Sequence, residues 1–150
     1  MKVLSDNRRA RHDYEVLETF EAGLSLLGTE VKSAKAGNVS LRGAFVTVQG
    51  NEAYLINATI PPWQVQNAPA DYDATRSRKL LLKASELKYL AGSRKTQGLT
   101  IIPLRLYAKG PRVKLLIALA RGRKRWRKKQ ILKERDIQRD VERLLRGKDL

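Results

Sequence analysis

Few residues in this chain could carry out bond-making chemistry. There are no cysteines and a single histidine, His12, which stands beside Asp13. A catalytic site has to bring together a nucleophile, a base and a group that stabilises charge. Nothing at a telling spacing from His12-Asp13 completes that set, and on an extended chain adjacent side chains point to opposite sides. Asp71 and Asp73 flank Tyr72 and offer oxygens to a hard cation, but the same Asp-x-Asp pattern in a proline-containing loop serves turn formation. With no thiolate and one imidazole, a disulfide framework and a zinc site of the usual kinds are excluded, and no metal or cofactor is expected.

The chemistry that the chain does offer is cationic. In Arg121-Gly-Arg-Lys-Arg-Trp-Arg-Lys-Lys129, seven of nine residues are basic, none is acidic and Trp126 sits in the middle. Such a block builds no apolar core. It suits a polyanion with exposed bases: the guanidinium and ammonium groups neutralise phosphates, and the indole offers a stacking face. The net charge of the chain is +16. The first 120 residues hold 18 basic and 10 acidic side chains and the last 30 hold 13 and 5, so each part carries +8. Further basic clusters, Arg8-Arg9-x-Arg11 and Arg76-x-Arg78-Lys79, have a solvated surface as their alternative reading. Two basic zones imply one extended nucleic acid or two contact sites.

The elements that must hold these residues read as mostly β. From Tyr14 to Leu26 apolar residues alternate, with Glu18 out of step and a bend expected near Gly23. Phe45–Val48 and Ala53–Asn57 form a hairpin closed by Gly50-Asn51. Arg78–Leu82 is a short strand. Leu99–Tyr107 and Val113–Ala120 form the strongest pair, with Pro103 marking an edge or a bulge. Two short helices are expected: Thr29–Ala36, capped by Thr29, and a second from Ser85 to about Leu90, ended by Gly92. Asn7–Asp13 reads as a polar lead-in and Ile60–Asp73 as a long loop, with Trp63 as a packed anchor. The sum is a small antiparallel barrel or sandwich of about six strands with two or three short helices. In the tail, Ile137, Val141, Leu144 and Leu145 recur at helical spacing up to Gly147. That narrow stripe predicts a segment disordered or loosely docked alone and helical on a partner. A membrane-surface role for it is weakened by the lack of an interfacial aromatic.

No run approaches the ~20 apolar residues of a bilayer span. Met1-Lys-Val-Leu-Ser passes straight into Asp6-Asn7-Arg8-Arg9 without a signal-peptide apolar region. A soluble cytoplasmic protein is expected.

Several motifs, in order along nearly the whole chain, resemble one family. They are Asn7-Arg-Arg-Ala-Arg-His-Asp-Tyr14, Phe20-Glu-Ala-Gly23, Gly28-Thr-Glu-Val-Lys-Ser33, Val39-Ser-Leu41, Arg76-Ser-Arg-Lys-Leu-Leu-Leu82, Pro103-Leu104 and Ala118-Leu-Ala-Arg-Gly122. Together they are similar to the SsrA-binding proteins, small protein B. The resemblance implies an oligonucleotide-binding-type β-barrel over residues 1–120 and a basic tail over 121–150. It implies a monomeric, non-enzymatic adaptor that binds the transfer-RNA-like domain of transfer-messenger RNA (tmRNA) and brings it to stalled ribosomes in trans-translation. The tail would then enter the empty message channel beside small-subunit ribosomal RNA. Matched by motif, Asn7, Glu21, Leu81 and Lys114 fall at RNA contacts, joined by the basic residues Arg8, Arg9, Arg11, Lys32, Arg76 and Lys79. Arg121, Arg123, Lys124, Arg125, Trp126, Lys128, Lys129 and Lys133 fall in the ribosome-binding tail. Glu21 is chemically reasonable there, because a carboxylate accepts from base amino groups and sugar hydroxyls. This chain departs from the family in the tail, where Trp126-Arg127 stands in place of the usual Tyr or His followed by an acid, and at Asn38, where Lys is usual. Competing readings are a constitutive ribosomal protein with RNA-threading arms and a small basic nuclease.

Overall fold

The computed structural model describes residues 1–64, 70–123 and 139. Among them the chain runs β1 (Lys2–Asp6), α1 (Arg8–Asp13), β2 (Tyr14–Leu24), α2 (Gly28–Lys35), β3 (Phe45–Gln49), β4 (Glu52–Ile56), β5 (Arg78–Leu81), α3 (Ala84–Gln97), β6 (Thr100–Lys109) and β7 (Arg112–Gly122). All strand pairings are antiparallel. The sheet order β1-β6-β3-β4-β5-β2-β7, with β7 also pairing β6, closes six strands into a ring. That closure leaves only β1 as an added edge strand beside β6.

Apolar alternation turns one side of each ring strand inward. Leu55, Leu80, Ile101, Leu106, Leu115 and Ile117 meet there, all nearly inaccessible to solvent. Leu87 and Leu90 of α3, with Val31 and Ala34 of α2, pack against the same core. A second, smaller core lies on the outer surface of β6 and β7, where Ala10 of α1 rests on Ile102, Leu104, Ala118 and Ala120. This explains why Ile117–Ala120 is apolar without alternation: a strand covered on both faces has no polar side.

The six ring strands coincide with the six expected segments, within a few residues at their ends. The two elements absent from the expectation are β1 and α1, and the supposed polar lead-in is that helix. Pro103 marks a bulge and not an edge, since β6 pairs on both sides and its register slips between Pro103 and Arg105. The disturbed alternation at Glu18 is likewise a bulge, between Val16 and Glu18. Helix α2 begins earlier than Thr29, with Leu27 at the N-cap, where Glu30 Oε1 accepts the Leu27 N–H at 2.8 Å. Helix α3 passes through Gly92 and stops at Gly98, whose φ of 64° suits a residue without Cβ. Strand β7 extends through Arg121 to Gly122, and the Arg123 N–H donates to the Asp13 carbonyl at 3.0 Å. The stripe proposed for a tail helix, and residues 65–69 of the long loop, lie outside the described residues.

Candidate nucleic-acid interface

Ala22, Leu80, Leu106 and Leu115 point into the barrel, so their strand neighbours point out. Register then places Leu81, Gly23, Lys114, Tyr107 and Val3 in one row across five strands. Two residues along, Glu21, Leu116, Arg105 and Asp6 form a second row. Of the expected RNA contacts, Glu21, Leu81 and Lys114 are thereby brought to one outer surface, although they come from three strands. Gly23 is what lets Leu81 lean over its neighbour: a Cβ there would lie 3.1 Å from Leu81 Cβ. Leu81 stays 56% exposed, an apolar platform of the kind a base or ribose can cover.

Glu21 is held in place. The Tyr107 hydroxyl donates to its Oε2, and Lys109 Nζ lies 3.6 Å from its Oε1. The Tyr107 hydrogen bond, helped by the Lys109 and Lys114 charges, holds the Glu21 carboxyl below its ordinary range. Burial, with the Glu21 charge beside it, pushes the Tyr107 hydroxyl up to about 12. At neutral pH the pair is thus an ionised acceptor fixed by a neutral donor. The carboxylate keeps free lone pairs and is 42% exposed, so it can accept from base N–H groups or 2′-hydroxyls.

Helix α1 presents three arginines near the other end of this outer surface. From Ala118 beneath the helix to Lys114 is four residues of strand, roughly 13 Å. Arg8 is almost fully exposed, and Arg9 pairs with Asp13 at 3.4 Å. Arg11 reaches Asp6 at 2.7 Å. Asn7 stands apart from its expected place as a contact because it is buried. Its Oδ1 accepts from Ala10 N–H, capping the helix, while Nδ2 donates to the Pro103 and Leu41 carbonyls.

The remaining basic residues have different settings. Lys79 is exposed on β5, 3.3 Å from Glu52, and Lys32 is exposed on α2. Arg76 and Arg78 both converge on Glu30, whose side chain is inaccessible. Arg78, taken from sequence as surface, is fully buried: Nη2 and Nε donate to Glu30 Oε2 at 2.7 and 2.9 Å, and the other donors reach the Ala58, Ala74 and Arg76 carbonyls. Burial alone would raise the Glu30 carboxyl, but hydrogen bonds from Arg76, the Leu27 N–H and Arg78 hold it at about 2. Arg121 pairs with Glu15 in the β2–β7 ladder. Arg123 is exposed, and Lys124, Arg125, Trp126, Lys128, Lys129 and Lys133 lie outside the described residues.

Helical backbone brings His12 Nδ1 to 3.2 Å from Asp13 Oδ1, where a strand would have parted them. Asp73 accepts from the Thr75 N–H and hydroxyl, both at 2.9 Å, so it makes a turn. Among the described residues no group of three or more His, Cys, Asp or Glu side chains could hold a metal ion, and no helix is long and apolar enough to cross a membrane. Tyr107, Lys109, Arg105 and Asp6 are part of this surface without having been nominated. Outward positions adjacent to inward Leu106 were the available signal, obscured by the bulge at Leu104.

The site thus lies on a closed antiparallel barrel with basic side chains on its outer surface and a fixed acceptor in their midst. The family described as SmpB protein matches residues 4–147. The SsrA-binding protein of Thermosynechococcus vestitus is 49% identical over 146 residues, covering 97% of this chain and 96% of that relative. The SsrA-binding protein of Coprothermobacter proteolyticus is 50% identical over 144 residues, covering 95% and 96%. A chain in a solved structure described as "tmRNA-SmpB: a journey to the center of the bacterial ribosome" superposes with a TM-score of 0.68 at 47% identity, covering 83% of this chain and 86% of that one. The chain belongs to the SmpB family.

Proposed function

We propose that this protein is a non-enzymatic, cytoplasmic adaptor of trans-translation that binds the transfer-RNA-like domain of tmRNA, delivers it to stalled ribosomes and reads the empty message channel with its tail. The observation that carries the reading is the meeting of Glu21, Leu81 and Lys114 on one outer surface, in a chain of the SmpB family. An ionised acceptor, an apolar platform and a cation within adjacent strands can recognise bases and riboses by shape and hydrogen bonding, beyond neutralising phosphate. Arg8, Arg9, Arg11, Lys32 and Lys79 supply the electrostatic approach, while Asn7, Arg76 and Arg78 maintain the frame that presents them. Arg121 and Arg123 lead from β7 toward the tail residues Lys124–Lys133, which take small-subunit ribosomal RNA. The protein acts as a monomer and needs no cofactor.

The test is binding of the purified protein to tmRNA and to unrelated RNA of equal length across a salt series. A preference for tmRNA that persists as salt rises is the expected result. Affinities that fall together along one steep slope would mean generic phosphate neutralisation, and the constitutive ribosomal protein would be the better description.

A further inference from the structure

Asp6 gathers three arginines around one carboxylate. Arg11 Nη1 lies 2.7 Å from Oδ1, Arg105 Nε lies 3.6 Å from the same oxygen, and Arg8 Nε lies 3.9 Å from Oδ2. Only the Arg11 contact is a hydrogen bond by distance. Arg105 Nε is itself buried without a hydrogen-bond partner among the described residues, while the Arg105 side chain as a whole is one-third exposed. The cluster therefore carries two net positive charges and donors that the protein does not satisfy.

The backbone builds this arrangement. From Ile102, outward beneath α1, strict alternation would aim Arg105 into the barrel. The extra residue at the β6 bulge, Leu104, resets the pattern, so that Leu106 faces the core and Arg105 turns out. A matching slip in β1, between Val3 and Ser5, sets Asp6 opposite Arg105. Arg105 is also in the Glu21 row, two strands away across Leu116, roughly 10 Å. It thus stands between the arginines of α1 and the acceptor at Glu21.

The geometry points to a phosphate seat formed by Arg8, Arg11 and Arg105 and organised by Asp6, which takes a backbone phosphodiester of the same RNA that Glu21 contacts. One phosphodiester charge against a net +2 leaves the complex cationic, and planar guanidinium forks suit phosphate oxygens. Asp6 keeps the forks gathered in the free protein, so less order has to be imposed on binding. The inference rests on the adaptor reading above and extends it to a residue, Arg105, outside the matched motifs.

Two variants test it with opposite electrostatic signs: Arg105→Gln, which keeps the stem over Leu116, and Asp6→Asn, which adds one positive charge. Each is titrated against the transfer-RNA-like domain and, separately, against purified small ribosomal subunits, with wild type alongside and thermal melting as the fold control. Arg105→Gln is expected to weaken binding to the transfer-RNA-like domain about tenfold and to lower the salt slope by about 1. Asp6→Asn is expected to weaken that binding as well, despite its added charge. Unchanged affinity and slope for Arg105→Gln, losses confined to the small-subunit arm, or tighter binding by Asp6→Asn would each overturn the seat. If wild type itself shows no preference for the transfer-RNA-like domain, it is the adaptor reading that fails, which the wild-type titration alone reveals.

Discussion

Glu21 shows how a carboxylate can serve a largely cationic surface. Its charge is fixed by Tyr107 from β6 and by Lys109 near the β6–β7 turn, so the acceptor is both ionised and aimed. Glu21→Lys is expected to abolish measurable preference for tmRNA while leaving the melting temperature close to wild type; retained preference in a filter-binding assay would remove Glu21 from the interface. Tyr107→Phe deletes the hydroxyl that contributes most to lowering the Glu21 pKa. The sign follows directly: binding that needs the ionised carboxylate fails as pH falls through the Glu21 pKa, and removing the donor raises that pKa. The acidic limb of affinity against pH should therefore shift upward in Tyr107→Phe, with about a fivefold loss at neutral pH. A limb that stays in place would mean that Tyr107 serves packing alone. Glu21 was open to sequence reading through the Phe20-Glu-Ala-Gly23 motif that carries the family resemblance. Tyr107 was not, because its partner is 86 residues away.

Among the elements, the segment from Tyr72 to Arg78 is tied to α2 by a buried ion cluster. Glu30 receives Arg76 and Arg78, and the Tyr72 hydroxyl donates to the Ile60 carbonyl at 2.7 Å. Replacing one partner leaves buried charge uncompensated, so Glu30→Gln is expected to cost roughly 3–5 kcal/mol, measured by urea unfolding. The same carboxyl gives stability a pH dependence. Its pKa is about 2 when folded against the usual 4.5, so its contribution is complete above about 4.5 and drains away as pH falls toward 2. The urea midpoint of wild type should drop across that window, and the part due to Glu30 should be missing in Glu30→Gln. Parallel pH curves for the two proteins would refute this role. Helix α1 is held differently. Only Ala10 and Asp13 of its six residues are buried, and Asn7 ties it to Leu41 and Pro103. Asn7→Ala is expected to lower stability by about 1–2 kcal/mol and to weaken RNA binding through the displaced arginines. An unchanged unfolding midpoint would argue against the capping role.

The chain joins a closed barrel, built almost wholly within residues 1–120, to a strongly basic stretch over residues 121–150, and each part carries half of the net charge. Among the described residues, six strands in a ring leave β1 as the one short edge and let the outer surface be polar and basic with little unpaired backbone exposed. If barrel and tail divide recognition as proposed, ending the chain after Arg123 should leave tmRNA affinity within about twofold of wild type, since the β7 ladder and the Arg123–Asp13 bond survive. Peptide tagging on stalled ribosomes should be lost. Tagging that persists in a reconstituted assay would refute a sensing tail.

What the sequence determined by itself was the class of structure and the polyanionic character that a partner must have to match its charge. Alternation and turn residues mark the six ring strands because those signals are local, as with Gly50-Asn51 between Gln49 and Glu52. Charge density alone pointed to nucleic acid. Tertiary structure decided the rest, since it turns on residues far apart in the chain. Arg78 looked like one of a surface trio until Glu30, 48 residues away, drew it into the interior. Helix α1 has too little apolar surface to announce itself and exists because Asn7 finds carbonyls on other segments. Bulges at Leu4 and Leu104 turn Arg105 outward opposite Asp6, and a one-residue slip of that kind reverses facing while leaving composition and period almost unchanged.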